Sequence, residues 1–486
     1  MPGGLASACA VHELPRAVDW LRIVGGLRGR PGFWWLDSAL VDARLGRFSF
    51  AGAEPWCVLR TRGARCEREV RRAARPGAAP GRSASSGDPL AALEALLPAP
   101  PAHATPFPVP FLGGAVVALG YELAAALEPV AVAAGDDLVL PDLTAFGVDR
   151  LYACDHVEGR AYALAWVEDA EPAAAVRRAE AEARALAERL PDGAPPPEPH
   201  RAAAPLARHG GFDAEGYGKT VERIREGIAA GDLYQACLTH RLELPWRGDA
   251  FALAGALRAS TPAPFACLLS LPDATVVGSS PERFLRVTAD GWVESRPIKG
   301  TRPRRAEAGA DRAERAALAA SAKDRAENLM IVDLVRNDLG RVCETGSVHV
   351  PELFAIEPYA SVFQLVSTVR GRLAPGRRAL DAVRAAFPPG SMTGAPKRAA
   401  MELLARLEPV RRGLYSGAIG YLDLRGGADL SVTIRSAILA RGRAFVHTGG
   451  GIVADSEPAA EWAEAEHKAR ALLAALAAAS AGPRRS

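Results

Sequence analysis

The chain has 486 residues, is 49% hydrophobic and 24% charged, and carries a formal net charge of +3. These values describe a soluble globular protein with ample core, folded as two or three domains or one large composite domain. They argue against a polyanion-binding surface, and no basic run with interleaved aromatics stands out.

Seven cysteines (Cys9, Cys57, Cys66, Cys154, Cys237, Cys267, Cys343) are scattered, with no Cys-x-x-Cys pair. That pattern fits reduced thiols in a cytoplasmic setting better than a disulfide framework or a zinc site. The amino terminus lacks a basic segment followed by an apolar one, so no signal peptide is expected. The longest apolar stretch, Phe111 to Leu127, is interrupted by Gly113, Gly114, Gly120 and Glu122 and should not span a membrane.

In chain order, residues up to about 75 read as short strands and turns, with aromatic runs at 33–38 and 46–50. Residues 76–105, rich in Pro, Gly, Ala and Ser, suggest an exposed connection. Phe111 to Glu122 is a glycine-punctuated buried segment, followed by strand-like runs at 151–153 and 162–166. An Ala/Glu/Arg-rich helix over 172–190 closes this region. The Pro/Ala-rich stretch 191–211 is the clearest boundary and divides the chain into regions 1–200 and 211–480.

Beyond it, Tyr217, Val221, Ile224 and Ile228 predict an amphipathic helix stopped by Gly231. Residues 233–244 alternate as a strand, with Gln235, Cys237, Thr239 and Arg241 on one face. Taken alone, that polar face is expected to be solvated.

A long helix is expected over 313–342, with Asp324, Glu327, Ile331 and Leu334 on one side, so that two carboxylates extend an apolar stripe. Such carboxylates either emerge into solvent or need a cation. The 388–397 segment reads as a turn opening a helix over 397–407. Arg435, in a strand over 430–439, is suited to a bidentate carboxylate contact. Thr448-Gly449-Gly450-Gly451 reads as a turn with free amides able to hold an anion. In the helix over 458–478, Glu457, Glu461, Glu464 and Lys468 share one face. Glu464–Lys468 can be an ordinary exposed pair. The acids, the lysine and the glycine turn together also suggest a magnesium–carboxylate site.

Lysine is scarce: the 59 Lys+Arg include only five, Lys219, Lys299, Lys323, Lys397 and Lys468. Lys299 lies in Pro297-Ile298-Lys299-Gly300-Thr301-Arg302-Pro303-Arg304. Unlike arginine, a lysine can lose its proton once cationic neighbours such as Arg302, Arg304 or a metal lower its pKa. Lys299 is a candidate nucleophile, with a surface ion pair as the alternative.

Several of these stretches together resemble the chorismate-utilising enzymes. The matching pieces are 231–235 (Gly-Asp-Leu-Tyr-Gln), 280–284 (Ser-Pro-Glu-Arg-Phe), 297–302, 330–338 (Met-Ile-Val-Asp-Leu-Val-Arg-Asn-Asp), 394–397 (Gly-Ala-Pro-Lys), 415–421, 434–435 and 450–456. Weaker pieces at 48–50, 120–122 and 155–156 extend the match into the first region. The resemblance implies an α+β fold, with two large, mostly antiparallel β-sheets in a sandwich, helices packed outside, and both regions contributing.

Members of this family that add water carry a lysine where Gln235 stands, so ammonia is the implied nucleophile here. Anthranilate-forming members usually have alanine in place of Lys299, whereas those making 4-amino-4-deoxychorismate typically share its Pro-Ile-Lys-Gly-Thr context. The implied chemistry is attack by Lys299 on chorismate, with Glu282 as general acid, followed by displacement by ammonia from a separate glutamine amidotransferase. The product would feed para-aminobenzoate and folate or a related secondary metabolite.

The resemblance also implies Mg²⁺ held by Glu327 and Glu464, with Glu461 and Asp324 nearby. Substrate would be held by Ser391, Tyr415, Arg435, Gly450, Gly451, Lys468, Gln235 and Thr301. Gln364 stands where relatives often have a histidine, and Leu36-Asp37-Ser38 resembles the lining of a regulatory tryptophan pocket. No glutaminase or pyridoxal-phosphate lyase segment is apparent. An anthranilate-forming enzyme and a catalytically silent chorismate-binding subunit remain alternatives; neither nucleic acid nor membrane is an expected partner.

Overall fold

Strand-forming runs from both regions pair into two sheets in the computed structural model, which describes residues 5–98, 107–199, 206–360 and 362–480. One sheet has eleven strands and the other twelve. Every strand pairing among the described residues is antiparallel. The two regions are interleaved in both sheets. Trp34–Asp37 pairs with Phe265–Ser270 in the first sheet, and Gly114–Leu119 with Ala418–Asp423 in the second.

The sheets face each other across an apolar layer, where alternate side chains meet. Phe111 stacks on Tyr421 at 4.6 Å between ring centroids, and Trp34 meets Phe111 edge-on at 6.2 Å. Helices cover the outer faces. Pro172–Glu188 buries Ala175, Ala179 and Ala183, a four-residue spacing that presents one smooth side to the edge of the first sheet. The Pro458–Ser480 helix packs Ala465, Ala469, Leu472 and Leu476 inward. Among the described residues no helix is long and apolar enough to cross a membrane.

Several expectations are corrected. Residues 20–27 form a helix, Trp20–Leu27, capped by Asp19, where strands and turns were expected. Part of the 76–105 connection is ordered. Gly81–Ser86 adds an exposed edge strand, and Pro89–Glu94, capped by Asp88, buries Leu90 and Leu93; residues 99–105 lie outside the described set. In the 191–211 boundary, residues 200–205 also lie outside it.

The long helix is two, Ala308–Ala320 and Ala322–Gly340. Ser321 breaks it, leaving helical geometry while its hydroxyl accepts a hydrogen bond from the Asp324 amide. The 430–439 strand is also two, Ala428–Val432 in the second sheet and Ser436–Ala440 in the first. The chain switches sheets between them, and Arg435 turns it with a left-handed φ of 52°.

Candidate active site

The site lies where strands of the two sheets approach each other beside the Pro458–Ser480 helix. Thr448–Gly451 is not a turn: it lies within the strand Arg443–Ile452 and pairs with Gln235–Pro245, with Leu238 opposite Gly450 and Cys237 opposite Gly451. The glycines act by leaving space. A Cβ on Gly450 would lie 3.1 Å from Glu461 Oε2, 3.7 Å from Glu464 Oε1 and 3.8 Å from Lys468 Nζ. A Cβ on Gly451 would lie 2.2 Å from Gln235 Nε2 and 3.0 Å from Lys299 Nζ. Three glycines carry no alternating side-chain signal, so a strand here reads as a turn.

Lys299 comes from Ile298–Pro303 in the second sheet. Its pairing with Val362–Arg372 is irregular, passing from Ile298 opposite Val366 to Thr301 opposite Gln364, so Lys299 and Gly300 occupy a bulge. A bulge re-aims a side chain, and Gly300, at φ 91°, lets the strand pass within contact of Asp324. Arg302 pairs with Asp324 at 2.8 Å and Arg304 with Asp311 at 3.0 Å, so both guanidiniums are matched by carboxylates. Thr301 is exposed.

Glu282 is 5% exposed, and burial pushes its carboxyl up to about 7 against the lowering effects of the Ser391 hydroxyl, Lys299 and the Ile298 amide. Ser391 is itself buried, and its oxygen has no hydrogen-bond partner of ordinary geometry. Gln235 and Gln364, 1% and 7% exposed, likewise have unpaired amide oxygens. The polar face of the Gln235 strand is therefore buried rather than solvated. Distant parts of the chain cover it: Thr239 bonds Glu408 through both its amide and its hydroxyl at 3.0 Å.

Opposite Lys299 stand the acids. Burial raises the half-buried Glu327 carboxyl, countered by Lys299 and Lys323 and reinforced by Asp324 and Glu464. Glu464 is held below its usual range chiefly by Lys468, whose ammonium lies 2.6 Å away and donates to the Gly449 carbonyl at 3.0 Å. Glu461, 4% exposed, accepts from the Ser456 hydroxyl at 2.7 Å. The Arg435 guanidinium reaches the same helix and donates to the Lys468 carbonyl.

Sequence reasoning missed the support beneath these groups. Tyr415 stacks on the buried His447, at 4.9 Å and 23° between rings. Arg412, 1% exposed, donates to Glu408, the Cys237 carbonyl and the Met392 carbonyl, and lies over the Tyr121 ring at 4.4 Å. Glu122, from the first region, accepts from the Arg412 and Gly413 amides at 2.8 and 2.9 Å. The Glu408–Arg412 spacing of four was the available signal. Away from Lys299, a cavity of about 220 Å³ lies by Asp37, Ser38, Arg47 and Arg283.

The fold is of the anthranilate synthase component I type. The family model for chorismate binding enzymes matches residues 40–474, and the chain belongs to that family. An aminodeoxychorismate synthase of Streptomyces pristinaespiralis is 46% identical over 460 residues, covering 93% of this chain and 63% of that protein. The chain thus spans less than two-thirds of that relative's length. Anthranilate synthase component 1 of Mycobacterium tuberculosis H37Rv is 40% identical over 476 residues, covering 93% of this chain and 88% of that protein. Among solved structures, anthranilate synthase component I from Streptococcus pneumoniae TIGR4 superposes with a TM-score of 0.74 at 30% identity, covering 89% of this chain and 94% of that one.

Proposed function

We propose that this chain is an aminodeoxychorismate synthase component I, converting chorismate and ammonia to 4-amino-4-deoxychorismate. The observation that carries this reading is the Lys299 nitrogen beside Gly451, next to the Gln235 amide and acting on the Glu282 carboxyl. The nucleophile is the Lys299 amine lone pair.

Lys299 Nζ bonds to C2 of chorismate, both ring double bonds shift (C1=C2 to C1=C6 and C5=C6 to C4=C5), and the C4–O bond breaks. Glu282, poised near neutrality, gives the departing hydroxyl its proton, so water leaves. Ammonia then bonds to C4, both double bonds shift back, and the C2–N bond breaks to free the lysine as an amine. The proton shed by the new amino group restores the acid form of Glu282. A glutamine amide at position 235 cannot act as a base toward water, which favours ammonia. A separate glutamine amidotransferase would supply it.

Arg435, Tyr415, Ser391, Gly451 and Lys468 would hold the substrate carboxylates. The acids fit Mg²⁺: their oxygens are hard, the Glu464 charge raises the Glu327 carboxyl, and Gly450 leaves a hollow beside Glu461 and Glu464. Among the described residues no group of three or more His, Cys, Asp or Glu stands ready to hold a metal by itself, so substrate and water would complete the shell. When bound, the ion supplies positive charge for a substrate carboxylate.

The test is mass spectrometry of the products from chorismate, Mg²⁺ and ammonium, with the wild type and Lys299→Ala. The expected result is 4-amino-4-deoxychorismate from the wild type and its loss, or a shift toward anthranilate, in the variant. Anthranilate and pyruvate from the wild type would overturn the reading, and no chorismate consumption would leave a silent binding subunit. Glutamine-dependent turnover by the chain alone would overturn the need for a partner.

A further inference from the structure

Two of the five lysines are paired away from Glu464. Lys219 makes an exposed pair with Glu215, one helical turn away. Lys397 is tied at 2.8 Å to both Asp338 and the Ala386 carbonyl. The other three, Lys299, Lys323 and Lys468, all act on Glu464.

Lys468 is locked by two short contacts, and Lys299 emerges from the bulge. Lys323 is different. It lies one turn ahead of Glu327 on the Ala322–Gly340 helix, its side chain is 55% exposed, and its ammonium stands 3.9 Å from Glu461 Oε1. That distance is an ion pair without a hydrogen bond. Glu461 is held in place by Ser456 and shielded from water, so its charge needs a nearby cation. Glu464 shares that pocket, since a Cβ on Gly450 would lie 3.1 Å from Glu461 Oε2 and 3.7 Å from Glu464 Oε1, and Glu327 stands four residues beyond Lys323 on the same helix.

We propose that Lys323 is a tethered counter-ion that occupies the field of Glu461, Glu327 and Glu464 in the metal-free protein and competes with a divalent cation for them. It rests on the reading of these acids as the magnesium site. The half-exposed ammonium steadies clustered carboxylates that would otherwise repel one another. It swings into solvent when a cation of higher charge arrives, whereas Lys468, with its two short contacts, stays. The metal affinity of the free protein is therefore set below what the carboxylates alone would give.

The experiment is Mn²⁺ binding to the full chain without chorismate, read by electron paramagnetic resonance of the free ion. Lys323→Gln should tighten binding roughly three- to tenfold, as removing one nearby, partly screened positive charge requires. Lys323→Arg, which keeps the charge, should bind as the wild type does. Unchanged or weaker binding in Lys323→Gln, or equal tightening in Lys323→Arg, would overturn the proposal alone. Wild-type binding that Glu464→Gln leaves intact would instead overturn the magnesium reading, and this proposal with it.

Discussion

A methyl group on Gly451 would sit 3.0 Å from Nζ of Lys299, although the two residues belong to different sheets. Lys299 therefore reaches its working position only because the facing strand presents no side chain there. The same methyl would lie 2.2 Å from Gln235 Nε2, an overlap that only movement can relieve. Gly451→Ala should lower kcat/KM by about 100-fold, the scale of a misplacement near 1 Å. Overpacking should cost about 1–3 kcal/mol of stability. Steady-state kinetics beside a thermal melt check both, and a fully active variant would show that the open space at Gly451 is not required for catalysis.

Replacing Lys299 with arginine separates charge from nucleophilicity. The guanidinium would retain a positive charge near Glu282, Glu327 and Glu464 but cannot lose its proton near neutral pH. Lys299→Arg should therefore lose 4-amino-4-deoxychorismate formation as completely as Lys299→Ala. Product analysis by mass spectrometry decides it, and appreciable turnover by the arginine variant would exclude a covalent lysine step.

Glu282 makes a two-part prediction about pH. Burial raises its folded-state pKa from 4.5 to about 7, so the proton it must donate is lost as pH rises through that value. Turnover limited by this step should fall on the alkaline side of about 7, and Glu282→Gln should lack that limb along with most of its activity. Stability follows the same sign. The wild type loses the contribution of the protonated carboxyl as pH climbs from the unfolded value through the folded one. Relative to wild type, Glu282→Gln should gain ~1–3 kcal/mol over this window, measurable by denaturant unfolding at pH 5 and 8.

Arg412 and Glu408 form an almost wholly buried ion pair, at 1% and 6% side-chain exposure. Removing one partner leaves the other charge stranded, a change that costs about 3–5 kcal/mol. Arg412→Met should be destabilised on that scale, while Arg412→Met with Glu408→Leu should recover part of the loss. Urea titrations of the single and double variants test the coupling. Equal destabilisation in both would mean that the carbonyls of Cys237 and Met392, not Glu408, are the partners that matter.

Local structure was readable where spacing is regular. The 4–3–4 spacing placed Glu461, Glu464 and Lys468 on one helix side, and the helix over 397–407 matches Lys397–Leu407. The missed features depend on distant segments. The Gln235 strand looks half-solvated because Glu408, 169 residues from Thr239, supplies its cover. Arg435 reads as one more strand residue because nothing nearby says that the chain changes sheets there. His447 carries no positional signal, since its neighbour Tyr415 arrives from another strand connection. Ser321 is the exception: a serine three residues before Asp324 is a local cap signal inside an alanine-rich run.

The near-absence of lysine has a practical outcome for spectroscopy. Reductive methylation with ¹³C-formaldehyde would place labels on five side chains at most, in a protein of 51.0 kDa whose spectra would otherwise be crowded. Three of those five reporters flank the acids, while Lys219 and Lys397 provide internal references on other surfaces. A handful of resolved methyl resonances would then follow cation entry and substrate arrival separately.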